Sequence, residues 1–377
     1  MWPCRGGRLA TLATASALLL LACAPSPAAP TGSAGPAAGK PGEAPGPAGS
    51  APSAAAVPPA TSAAATPEAA PSAAGALPYK VRIAYVAQTT NMGVVELARQ
   101  TGMFERYGVD AELSLIRNPL SVAAMLSGEV DFNFTGAHPI ITANLEGADT
   151  VLVACGLSTP TWYIFGRPSL TSTQELKGAR VATGRPGSDI YSVFQLALPR
   201  WGLSPDDVTT LQIDSETQRV VAVQNDAADA TVTSVPANLM ALRAGLRPIT
   251  SMAELGIAWP ASCLGTTRRF VAEQPLALKA VLQGYMAAIQ WMRDNREQAL
   301  DILERFTEST DRALVEEAYE TTMKYQQPVP YPSPEGVQTI LSTLAAEGGS
   351  GLPPERFIED HALRELDAAG FVRSLAP

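Results

Sequence analysis

Short apolar runs alternate with helical stretches from residue 80 to 156, and the same alternation starts again at residue 179. Few architectures satisfy that order. Strands separated by helices pair in parallel, and the helices must cover the faces of the sheet they build. Strand-like runs fall at 80–86, 110–116, 130–134 and 151–156. Helical runs at 93–101, 120–127 and 139–146 lie between them, stopped by Gly102, Gly128 and Gly147. In the second stretch, strands at 179–183, 208–213 and 230–234 alternate with helices at 189–201, 218–224 and 237–244. Beyond residue 275 only helical periodicity remains, at 276–295, 296–306, 311–325, 334–346 and 361–369. The expected class is α/β, with two lobes and a helical C-terminal extension.

The amino terminus follows other rules. Arg5 and Arg8 precede an uncharged stretch from Leu9 to Leu21, the length of a signal-peptide apolar region and short for a membrane span. The stretch ends in Leu20-Leu21-Ala22-Cys23, which resembles a bacterial lipobox. Residues 1–22 are therefore expected to be a lipoprotein signal peptide, and Cys23 the lipidated first residue of the mature chain. Residues 24–77 are almost wholly Ala, Pro, Gly, Ser and Thr, with Lys40, Glu43 and Glu68 the only charges. Such a segment buries too little apolar surface to offset its ordering entropy. It is expected to be a disordered linker, spanning about 40 Å as a flexible coil.

Composition removes several function classes. The chain carries a formal net charge of −9, whereas a nucleic-acid binder needs a basic footprint. Its 377 residues include two histidines and four cysteines, with no C-x-x-C pair and no H-x-x-x-H pair, so neither a metal site nor a cofactor is expected. No catalytic constellation is expected either. Cys155 and Cys263 are the cysteines of the folded part, and they are either disulfide-bonded or free buried thiols.

Four motifs in order carry a resemblance. Leu97-Ala98-Arg99-Gln100-Thr101-Gly102-Met103-Phe104, continuing to Gly108-Val109, is similar to an "A-x-x-x-G-y/l/m-F-x-x-x-G-l/v" signature. Leu126-Ser127-Gly128-Glu129-Val130-Asp131-Phe132 resembles "L-x-x-G-x-x-D-f". Glu175-Leu176-Lys177-Gly178-Ala179-Arg180-Val181-Ala182 resembles "d-L-K-G-K-r-V-a", and Trp201-Gly202-Leu203-Ser204-Pro205-Asp206-Asp207-Val208 resembles "x-G-L-x-p-x-D-V". These belong to solute-binding proteins of ABC importers, in the NMT1/THI5-like group of nitrate, sulfonate, taurine and thiamine-precursor receptors.

The resemblance implies a two-lobed type II periplasmic-binding-protein fold with hinge crossovers. Lobe 1 would comprise 78–168 and 256–377, lobe 2 residues 169–255, with hinge segments near 162–168 and 253–263. The implied protein is a monomeric, extracytoplasmic, lipid-anchored receptor. It would take a small polar or anionic solute and deliver it to ABC permease subunits. An enzyme on the same fold, of pyrimidine-precursor or menaquinone-pathway type, and a sensing module for a membrane kinase are the alternatives. Whether the solute is a sulfonate, nitrate, a heterocycle or another molecule stays open.

In open α/β sheets ligands bind outside the carboxyl ends of the strands, where helix starts present N–H groups. That rule selects Gln88 and Thr89 after the first strand, Asn118 after the second, and Thr135 and His138 after the third. In the second lobe it selects Arg185, Ser188, Asp189, Tyr191 and Thr233. Each has a structural alternative. Thr89 and Asn118 are helix-capping types, and Asp189 suits a helix dipole. His138 either meets the ligand or packs in its loop. Arg185 either pairs with an anion or is solvated, and Tyr191 either stacks on a ring or fills core.

Overall fold

A computed structural model describes residues 78–375. The expected signal peptide, lipidated Cys23 and linker lie outside the described residues. In chain order the elements are β1 (Tyr79–Tyr85), α1 (Val94–Gln100), α2 (Met103–Arg106), β2 (Val109–Leu115), α3 (Leu120–Ser127), β3 (Phe132–Thr135), α4 (Ala137–Leu145), β4 (Thr150–Leu157), β5 (Tyr163–Gly166), β6 (Arg180–Thr183), α5 (Asp189–Ala197) and β7 (Thr209–Gln212). They continue with α6 (Glu216–Gln224), β8 (Ala230–Thr233), α7 (Ala237–Arg243), β9 (Arg247–Ser251), β10 (Ser262–Thr267), α8 (Arg268–Glu273), α9 (Pro275–Asp294), α10 (Arg296–Thr307), α11 (Arg312–Tyr325), α12 (Pro334–Thr343), α13 (His361–Ala368) and α14 (Phe371–Leu375).

The strands form two five-stranded sheets, in the orders β2-β1-β3-β10-β4 and β7-β6-β8-β5-β9. Parallel pairing runs through β1 with β2 and β3 in the first sheet, and through β6 with β7 and β8 in the second. Each sheet also takes one antiparallel strand into its interior: β10 between β3 and β4, and β5 between β8 and β9. The sequence reading had no strand at β5, β9 or β10. These runs are only four to six residues long, and two lie where hinge segments were expected. Tyr163–Gly166, expected in the first lobe, pairs inside the second sheet.

Local chemistry explains the elements that were legible. Val81 and Ile83 of β1 are buried while Lys80 and Arg82 point outward, the period-two pattern of a strand with a wet side. Gly128 ends α3 at φ +79, a left-handed conformation that favours glycine. Helix α4 starts at Ala137, two residues before the expected position, and Pro139 sits in its first turn, where proline is tolerated.

Strand β4 is an edge strand, yet all eight of its residues are buried. The C-terminal region covers it. Cys155 donates its N–H to the Pro330 carbonyl at 2.7 Å, Glu359 donates to Leu152 at 2.8 Å, and Gln327 donates to Gly156 at 2.9 Å. Covering an apolar edge this way removes a template for unwanted strand pairing. The tail thus completes the first sheet, while α9 packs its buried face, including Tyr285 and Met286, into the core beneath it.

The chain passes between the sheets twice, after β4 and again between β9 and β10. The passages lie side by side: Trp259 donates to the Ser158 carbonyl at 2.9 Å, Ala261 to Leu157 at 2.8 Å and Met252 to Trp162 at 2.8 Å. At their base Cys155 and Cys263, paired across β4 and β10 and both fully buried, form a disulfide. The alternative of two free thiols is thereby resolved.

Candidate functional site

The loops after β1 and β8, each at the carboxyl end of a parallel strand, line one small cavity together with Thr161 of the first crossing. A separate contact joins the starts of α4 and α5 to the second crossing. Asp189, in the first turn of α5, accepts a hydrogen bond from the Trp259 indole Nε1 at 2.8 Å. Its carboxyl group lies at the start of α4, so close that a Cβ on Gly136 would meet Asp189 Oδ2 at 2.5 Å. Trp259 is fully buried and stacks on the His138 ring, with centroids 6.0 Å apart and planes 21° apart.

Electrostatics follow from this packing. Burial pushes the Asp189 carboxyl above its ordinary value, against the opposing pull of His138, the Trp259 indole and the His138 backbone N–H. Burial likewise pushes the His138 imidazole down, opposed by the charge of Asp189. Withdrawal from water favours the neutral form of each group. His138 is 2% exposed and packed against Trp259.

Gly136 is the backbone position that admits this carboxyl. A Gly136→Ala substitution is expected to push Asp189 away from α4 and to destabilise the chain by about 1–3 kcal/mol, as overpacking does. Urea denaturation followed by circular dichroism checks this. An unchanged midpoint would show that Asp189 yields without loss.

The other expected residues are placed as follows. Gln88 turns its amide to the Phe306 carbonyl at 3.1 Å and to Glu308 at 3.3 Å, toward the end of α10. Thr89 accepts the Met92 N–H through its carbonyl at 2.9 Å, in the helical turn after β1. Asn118 donates to Thr135 Oγ1 at 3.0 Å and accepts from Ser121 at 2.6 Å, tying the loops after β2 and β3 together. Arg185 is exposed and paired with Asp214 at 2.6 Å. Ser188 caps α5 by accepting the Tyr191 N–H at 3.4 Å, and Tyr191 is half-buried in the first turn of that helix. Thr233 is buried and donates to Asn238 at 2.8 Å.

Several crevice residues had no signal in the expected set. A small cavity of about 20 Å³ lies between the lobes, lined by Thr90, Asn91, Tyr163, Ser234, Glu317 and Thr321 among others. Thr90, Asn91 and Ser234 neighbour expected positions. Glu317 and Thr321 come from α11, far along the chain, and nothing local marks them. Arg219 was also missed. It is 2% exposed and spends its guanidinium on the carbonyls of Val232 at 3.0 Å, Ile213 at 2.9 Å and Asp214 at 3.2 Å, tying together the ends of β7 and β8. A larger cavity of about 320 Å³ lies elsewhere, near the starting end of β1, against Lys80, Arg82 and Arg269. It is remote from the strand ends, so the crevice remains the candidate site.

Among the described residues no group of His, Cys, Asp and Glu is arranged to hold a metal ion. No helix among them is long and apolar enough to cross a membrane.

The comparisons agree with this geometry. A relative from Brucella abortus (strain 2308) described as a binding protein is 25% identical over 252 residues, covering 65% of this chain and 77% of its own. The periplasmic aliphatic sulphonate binding protein SsuA of Escherichia coli superimposes with a TM-score of 0.63 at 20% identity, over 75% of this chain and 92% of its own. SsuA of Xanthomonas axonopodis pv. citri, solved with MOPS bound, superimposes with a TM-score of 0.60 at 21% identity, over 75% and 97%. The desulfurization enzyme DSZB also shares the fold, with a TM-score of 0.59 at 14% identity, over 77% and 99%. The architecture is the two-lobed periplasmic-binding-protein fold. The profile described as NMT1/THI5 like matches residues 89–299, more than half of the chain, and the chain belongs to the NMT1/THI5-like family.

Proposed function

We propose that this chain is an extracytoplasmic receptor that closes two lobes on a small solute and passes it to an ABC importer. In this reading Cys23 carries the lipid anchor, residues 24–77 are the tether, and the solute is released unchanged. The lobes comprise the residues of the two sheets, with the boundary drawn ahead of β5, and they pivot about the two crossing segments.

The observation that carries the reading is the meeting of Asp189, from the second lobe, with Gly136 and Trp259 on the other wall, where strand ends of both sheets converge. A crevice between two sheets joined by paired crossings suits capture by closure. The sulphonate-binding neighbours support a binding role through fold. The enzyme neighbour, which shares only the fold at 14% identity, supports the alternative weakly.

Deletion of the chain in its own cell tests the proposal. Uptake of one small solute is expected to fall at least tenfold, and native mass spectrometry of the purified wild-type protein is expected to find that solute bound intact. A Cys23→Ser chain is expected to lose its acyl label. Unchanged uptake of every solute tried, or a chemically altered product in place of the solute, would refute the receptor reading.

A further inference from the structure

Two lobes that part and close must break and remake whatever contacts run between them. Charged side chains of the chain itself make two such contacts. The inner one is at Asp189, which comes from α5 beside the second sheet. Its carboxyl group lies against Gly136 at the start of α4, beside the first sheet, and accepts the Trp259 indole N–H at 2.8 Å. Trp259 is fully buried, so water reaches that N–H only when the packing around it opens.

The outer contact joins α7 to α11. Ser234 and Val235, just ahead of α7, line the small cavity together with Glu317, Thr321 and Thr322 of α11. Helix α11 is held to the first sheet's side by Tyr319, which donates to the Met292 carbonyl of α9 at 2.7 Å. The two helices pass in opposite directions, because Arg243 at the end of α7 forms an ion pair with Asp311, just ahead of α11. Helix α7 has seven residues, so the pair lies about 10 Å from the cavity along that helix. Asp311 also caps α11, accepting the Ala313 N–H at 3.1 Å through its other oxygen. Among the described residues the Arg243 side chain makes no other ion pair or hydrogen bond.

We propose that these two contacts form one latch between the lobes, with the Arg243–Asp311 pair as its outer catch, and that a solute enters only while the catch is parted. The contacts share no residue. Movement of one lobe against the other breaks both, so loosening the outer pair is felt at Trp259. Magnitudes give the two contacts unequal parts. The Arg243 side chain is 63% exposed and that of Asp311 24%, and an ion pair so exposed shifts an equilibrium by about threefold. The Asp189 contact is buried, where a hydrogen bond to a charged group counts for more. The inner contact keeps parting rare, and the outer pair adjusts how often it happens. The latch rests on the receptor reading for its purpose and names how access to that site is regulated.

Deuterium exchange of the Trp259 indole N–H, followed by NMR on the full chain, tests this where exchange tracks the opening equilibrium. The Leu264 amide, inside β10 and fully buried, is the control. Arg243→Gln removes the ion pair. Asp311→Asn removes its charge and leaves a capping side chain on α11. Each variant is expected to speed indole exchange about threefold and to leave Leu264 as it is. The double variant is expected to match either single one, because both substitutions cut the same bond. An unchanged indole rate in either single variant would make the pair a surface contact only and overturns the latch. Equal acceleration at Leu264 overturns it too, as general destabilisation. So does a double variant at about ninefold, since the two side chains would then act independently. None of these readings needs a solute. Unchanged uptake of every solute after deletion would instead sink the receptor reading, and the latch's purpose with it, while the exchange rates would still decide whether the two contacts open together.

Discussion

Replacing Trp259 by alanine is expected to lower the unfolding free energy by about 3–5 kcal/mol, the range for truncating a large buried aromatic. Three roles meet in this side chain. It is fully buried in the core cluster that spans the crossing segments, it stacks on His138, and it donates to Asp189 at 2.8 Å. Truncation empties a large volume and also strips a buried carboxyl of a donor. The Trp259→Phe chain separates these effects. It keeps most of the packing and loses the indole N–H, so a smaller loss of about 1–3 kcal/mol is expected. Urea midpoints of the three chains, read by circular dichroism, are the measurement. A loss below about 1 kcal/mol for Trp259→Ala would mean the site collapses to fill the gap, and the contact between lobes would not depend on this residue.

Removing the disulfide is the second large effect. Cys155 and Cys263 are 108 residues apart in sequence, and the ring they close encloses every strand of the second sheet. In the chain-entropy account, restraining a loop of that length raises the free energy of the unfolded chain, and removal of a native bridge costs about 2–5 kcal/mol. A Cys155→Ala/Cys263→Ala chain is expected to unfold at a lower urea concentration by an amount in that range. The wild-type chain should hold its higher midpoint under non-reducing conditions. Equal midpoints would show that the ladder between β4 and β10 positions the crossings unaided. The bond joins the strands from which both crossings leave, next to the Ala261 to Leu157 hydrogen bond. In the proposed receptor, bending between the lobes would fall to the segments beyond it.

The strand-and-helix order, the glycine stop after α3 and the helical tail were all legible locally. Each rests on a period or a terminator within about ten residues, where backbone and side chain already agree. The three missed strands show the limit. Tyr163–Gly166 is four residues long, and its partners β8 and β9 lie well beyond it in the chain. So short a run carries no usable period. Its pairing is decided by the slot the second sheet offers.

The candidate site divides in the same way. Strand-end loops were legible, because parallel sheets direct ligands to them. What each side chain does there was not. Asp189 reads in the sequence as a partner for its own helix dipole, yet its carboxyl crosses to Gly136 and Trp259. Glu317 sits in an amphipathic helix that reads as tail, and it reaches the crevice only because α11 packs against the turn after β1. By itself the sequence determined the class of fold and the order of those elements that carry a local period, since these follow from local periodicity and chain connectivity. Only the tertiary structure decided which side chains meet across the sheets and where the two cysteines pair. Those depend on distances between residues far apart in the chain, and no local pattern encodes them.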